Sequence, residues 1–239
     1  MTVCLVRRAS RSDQSSRPEP QRPEVDALTD MQRLAQRQSG LSRAVLAAQQ
    51  AALLGPTGHF ANLSRQVRKQ GRQAPVLKDI SALEDHDRRA LAEQALQFVL
   101  AVHCRRPPAD NPFRGMTREY LCCVVFDEAA PYTLVERYAA GDALRQADSE
   151  YFSKLIATTR DTVERRIVFH GLLEHFDHLL PIEKSIYPLD YRAVQQAHLD
   201  HEEALYGKLE LEQPIRVMLE TREPQWLVDH VCELERPAR

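Results

Sequence analysis

Apolar positions along the chain recur mostly every three or four residues, the period of an amphipathic helix rather than of a strand. Leu28, Met31, Leu34, Leu41, Val45, Ala48 and Leu53 follow that spacing and Gly55-Pro56 supplies a stop. The pattern therefore predicts one long helix over residues 26–54, with Gly40 as a point of kinking. Ser81 and Glu84 form a capping box ahead of Leu83, Leu91, Ala95, Leu96, Val99, Leu100 and Val102, so a second helix should end before Pro107-Pro108. Further helices are predicted from Thr117 to about Val125, from the Thr133/Glu136 box to about Gln146, and from Asp148 or Ser149 through Ile156. Two more are predicted from Asp161/Glu164 to about Leu180, before Pro181, and from Asp190 to about Lys208. Only residues 120–126 and 214–220 also suit short strands.

Between these elements, residues 1–25 are rich in Arg, Ser, Pro, Gln and Glu and nearly free of apolar groups after Val6, which predicts a disordered tail. Residues 55–80 combine Gly, Pro and the basic cluster Arg65, Arg68, Lys69 and Arg72, and read as a linker with one short helix. The expected architecture is all-α, an antiparallel bundle-like helical domain over residues 81–239, preceded by the helix at 26–54 and the tail. That preceding helix is too apolar to stay solvated. It must cover its face on the C-terminal domain, on a second copy or on a partner, and its length and Gln-rich flanks favour a protein partner or self-association.

Composition narrows the classes. The 239 residues carry 32 Lys+Arg against 34 Asp+Glu, a net charge of -2 and a pI near 6.5, which argues against coating nucleic acid or an anionic membrane. No stretch approaches the roughly 18 apolar residues of a membrane span. Arg outnumbers Lys by 27 to 5, a skew that points to a GC-rich bacterial coding sequence. Five cysteines without a Cys-x-x-Cys, and an N-terminal apolar run too brief for a signal-peptide core, predict a reducing, cytoplasmic address.

The segment 111–140, NPFRGMTREYLCCVVFDEAAPYTLVERYAA, is the most motif-like part of the chain. Its order of Asn-Pro-Phe-x-Gly, Thr-Arg-Glu, Phe-Asp-Glu and Tyr-Thr-x-x-Glu-Arg-x-Ala-Ala resembles a family of small, uncharacterised helical bacterial proteins. The resemblance covers these residues and the helices up to Tyr191, and it implies no known activity. A calcium loop beginning at Asp127 is excluded, because Ala129, Pro131 and Tyr132 occupy positions that require oxygen ligands and a glycine. Cys122 and Cys123, between Leu121 and Val124, read as core residues.

Five histidines lie on two neighbouring predicted helices. At 100° per residue, Val194, His198, His201 and Leu205 fall within about 60° of one another, so the pattern places this pair on the apolar stripe. His175 borders the apolar face of its own helix and His178 points away. No nucleophile elbow, phosphate-binding glycine loop or Glu-x-x-His motif is present. The sequence thus predicts a helical interaction, adaptor or regulatory protein with no catalytic site and no cofactor, bound to protein rather than to nucleic acid or membrane. Two alternatives are a metal-binding helical enzyme or sensor using His175, His198 and His201, and a secreted bacterial effector exported by its Ser/Arg-rich N-terminus.

Overall fold

A computed structural model describes residues 24–104, 106–158, 165–211 and 213–229. The fold is all-α, and no strand occurs among the described residues; the segments 120–126 and 215–220 are helical, with Pro214 at the N-cap of the second. The disordered tail expected over residues 1–25 falls almost wholly outside the described residues, as does the expected Asp161/Glu164 cap. No helix of the described residues is long and apolar enough to cross a membrane.

The single helix expected over 26–54 is two, α1 (Glu24–Ser39) and α2 (Arg43–Leu54). Gly40 ends the first, and the Ser42 hydroxyl caps the second by accepting from the Val45 N–H at 3.3 Å. The break re-phases the stripe. Leu34 and Leu46 are buried and Leu53 packs against the core, whereas Leu41, Val45 and Ala48 stay exposed. Because α1 lies on α6 (Arg118–Phe126) and α2 on α9 (Pro181–Lys184), the segment covers its inner face within its own chain. The inner face is thus taken by the chain itself, while Leu28, Leu41, Val45 and Leu54 of the same segment stay exposed.

The linker expected over 55–80 holds a core helix, α3 (His59–Gln70), followed by two single-turn 3₁₀ segments and the short α4 (Lys78–Ser81). Phe60, Leu63 and Val67 line its buried face, while Arg65, Arg68 and Lys69 occupy its exposed one. The basic cluster that suggested a linker is the solvent side of an amphipathic helix. Helix α5 (His86–His103) starts later than expected: its cap is Asp85, whose carboxylate accepts from the Arg88 N–H at 2.8 Å, and not Ser81.

Helix α7 (Leu134–Ala157) is the spine. Its Thr133/Glu136 capping box forms as expected, but it runs straight through Gln146 and merges with the helix placed after Asp148. Arg118 grips Asp148 at 2.9 and 3.3 Å, so this carboxylate is tied across helices rather than turned back on its own backbone. Residues Val135 to Leu144 of α7 belong to a first core with α1 to α6 and α9. Leu155 at its far end belongs to a second, with α8 (Arg165–His178), α11 (Ile215–Thr221) and Leu227 of α12 (Pro224–Asp229). Trp226 packs against this second core with the Arg222 guanidinium 4.6 Å from its ring centre. Between α9 and α11 runs α10 (Tyr191–Tyr206), which lies along α8.

Candidate functional site

The motif-like segment 111–140 places its polar residues at joints. Asn111 accepts from the Phe113 N–H at 2.9 Å and donates to the Ala139 carbonyl at 2.8 Å, pinning a fully buried Phe113. Gly115, at φ +76, closes that turn in the left-handed region. Arg118 bridges Asp148 and Glu183, reaching the latter at 2.6 Å. Asp127 pairs with Arg37 of α1 at 2.7 Å. Glu136 takes a two-pronged bond from Arg88. The Arg137 guanidinium donates to the carbonyls of Val124, Val125, Asp127, Ala130 and Tyr132, filling acceptors left open at the end of α6. Cys122 is buried, which raises its thiol pKa, and Cys123 is half-buried.

Next to this network a cleft of about 640 Å³ opens between the first core and α8 and α11, lined by Arg118, Glu119, Tyr151, Lys154, His175 and Arg216 among others. Its charges are largely matched internally. Arg216 pairs with Glu119 at 3.0 Å, Lys154 donates to the Leu219 carbonyl at 3.1 Å, and the Tyr151 hydroxyl donates to the Gly171 carbonyl at 2.9 Å. His175 stacks on Tyr151 and meets Phe152 edge-on, and burial pushes its pKa down to about 4, so it is neutral at pH 7.

The three histidines considered for a metal are not brought together. His175 faces α7, whereas His198 and His201 sit on the exposed side of α10, His198 with its ring against Phe169 at 5.3 Å. Among the described residues no three His, Cys, Asp or Glu side chains form a metal-holding group.

The surface that departs furthest from the sequence pattern is α10. The stripe Val194, His198, His201 and Leu205 was expected to face the core, yet all four are exposed, Leu205 at 60%. The buried side carries Leu199 and Glu202, with half-buried Gln195, Gln196 and Glu203. Electrostatics and rings turn the helix this way. Arg192 forks onto Asp177 at 2.8 and 2.9 Å, holding that carboxyl below its usual range. Glu202 lies 3.5 Å from Arg165, and Glu203 lies 3.5 Å from His170. The fully buried Arg166 donates to the Tyr206 and Gly207 carbonyls, and Tyr191 packs with Phe176 and Tyr187. The signal for this was present in α8, whose Arg165 and His170 stand within 3.5 Å of Glu202 and Glu203 of α10.

Neither a protein family, nor a curated protein, nor a solved structure matches this chain.

Proposed function

We propose that this protein is a non-catalytic helical interaction protein whose docking surface is the outer face of α10. The reading is carried by one observation: α10 spends much of its polar side on its own chain and leaves Val194 and Leu205, with His201, Ala197 and Ala204 beside them, exposed to solvent. Exposed aliphatic side chains cost solvation free energy that docking recovers. Each of these side chains is on a regular helix, so the surface is preorganised and its burial needs little ordering. The cleft beside Arg118 contributes rigidity to this reading, because its guanidinium and carboxylate groups are matched across helices.

The test is site-specific photocrosslinking in cells, with a photoreactive residue at Val194 or Leu205 and a control at Arg68 on the exposed face of α3. Polypeptide adducts at the α10 positions and none at the control are expected. Equal labelling at all three sites, or none at α10, refutes the proposal.

A further inference from the structure

From Met31 to Lys78 the chain carries eight Lys+Arg and no Asp or Glu, which leaves 24 Lys+Arg against 34 Asp+Glu for everything else. The near-zero net charge that argues against nucleic acid therefore averages over two unlike regions. Four of the eight bases are spent within the chain: Arg33 on Asp30, Arg37 on Asp127, Arg43 on the Ser185 and Tyr187 carbonyls, and Arg72 on Glu93. Lys78 lies on α4, and the other three, Arg65, Arg68 and Lys69 of α3, are exposed and hold no ion pair or hydrogen bond among the described residues. From these residues the geometry points to a nucleic-acid site on the outer face of α3 and the end of α5, contacting the phosphate backbone and separate from the α10 surface.

At 100° per residue Arg65, Arg68 and Lys69 lie within about 100° of one another, opposite the buried Phe60, Leu63 and Val67. Burial and the charge of Arg68 together lower the pKa of His103, which puts Arg68 beside the end of α5. There the Cys104 thiol donates to the Val67 carbonyl at 3.3 Å, and Arg106, two residues further, is exposed. Flanking carboxylates do not cancel these four charges, because Glu93 is engaged by Arg72 and Asp142 by Arg145 at 2.9 Å. An anion can thus be bound without breaking a bond the chain already makes.

The chemistry of the face selects the anion. Three of its four bases are arginines, whose planar forks match phosphate oxygens, and the exposed Gln70 and Gln73 add donors beside them. A DNA strand offers one phosphate per about 3.4 Å of axial rise, dense enough for Arg65 and Lys69, about 6 Å apart along the helix, each to meet one. No large apolar side chain of α3 is exposed, so the face lacks the anchor that holds an interfacial helix in a bilayer. Because α3 is held to the core by its other side and presents only a short row of charges, it grips the backbone rather than base edges.

Fluorescence anisotropy of a labelled DNA duplex of about 20 base pairs, titrated with the full chain, tests the proposal. Four phosphate contacts give a slope of about -3.6 in log affinity against log salt, so binding should weaken on the order of a hundredfold from about 50 to about 200 mM KCl. Arg68→Gln with Lys69→Gln should weaken binding at the lower salt at least about tenfold and reduce the slope by about two, whereas Arg33→Gln, which removes a charge already paired with Asp30, should leave the slope unchanged. An unchanged urea midpoint checks the fold of each variant, and Arg65→Gln with Lys69→Gln serves as a second pair. No binding at the lower salt, a slope indifferent to both pairs, displacement by poly-glutamate at equal charge concentration, or equally tight binding to phosphatidylserine vesicles would each overturn the inference.

Discussion

Replacing Glu136 by alanine removes a carboxylate that is fully buried, at 0% exposure, and that collects four hydrogen bonds. The Thr133 N–H and hydroxyl each donate to it at 2.7 Å, and Arg88 donates through two nitrogens at 2.7 and 3.0 Å. Loss of the cap contributes about 1 kcal/mol. Breaking a buried ion pair from one side typically costs about 3–5 kcal/mol. Here the lower part of that range applies to the pair, because the Arg88 side chain is 27% exposed and keeps its bond to the Pro131 carbonyl and its position 4.8 Å from the Tyr132 ring centre. E136A should therefore destabilise by about 3–5 kcal/mol in all, with the buried Thr133 hydroxyl left without its acceptor. Urea unfolding followed by far-ultraviolet circular dichroism measures this, provided the denaturant slope is unchanged. Arg88→Ala should also be costly, since it strands the carboxylate inside the core. The double variant should then cost about 2 kcal/mol less than the sum of the two, because each single change already breaks the same pair. An E136A cost below about 1 kcal/mol, or strictly additive single effects, would refute the view that this capping box is a tertiary joint.

Three further outcomes follow from the same structure. His175 is held at a pKa of about 4 by burial against an unfolded value of 6.5, so the unfolded chain binds the extra proton between those values. Its contribution to stability is full above pH 6.5 and falls as pH drops toward 4, by up to about 3 kcal/mol; His175→Phe should flatten that part of a urea-midpoint-versus-pH curve, and an unchanged slope would exclude the histidine as its source. A chain beginning at Ser81 loses Leu34, Leu46, Phe60, Leu63 and Val67 from the first core, so it should show no cooperative urea transition; a native-like midpoint would restore the linker reading of residues 55–80. In Gly171→Ala the new Cβ would lie 2.5 Å from Leu155 Cδ1 and 2.9 Å from Tyr151 Oη, so overpacking of about 1–3 kcal/mol should cancel or exceed the roughly 1 kcal/mol that alanine adds to a helix, and a higher melting temperature would contradict it.

Much of the secondary structure was legible in the sequence because its causes are local. The Thr117 cap of α6, the Thr133/Glu136 box of α7 and the stop at Gly55 each depend on backbone groups within four residues, and all three form where the pattern puts them. The all-α class follows from the same period. What the sequence left open was decided by groups far apart along the chain. Whether Asp148 interrupts α7 depends on Arg118, thirty residues earlier, and the depth of Glu136 depends on Arg88, forty-eight residues earlier. The arginine excess, which reads from composition alone as coding bias, includes Arg137 and Arg166 bound to the end carbonyls of α6 and α10. The orientation of α10 shows the division most sharply. Its amphipathic pattern specified a helix with one apolar side, but an apolar stripe favours burial without saying against what. Directional partners on α8, namely Arg165 for Glu202 and Asp177 for Arg192, with the Arg166 guanidinium on the Tyr206 and Gly207 carbonyls, chose the polar side for the contact and left Val194 and Leu205 outward.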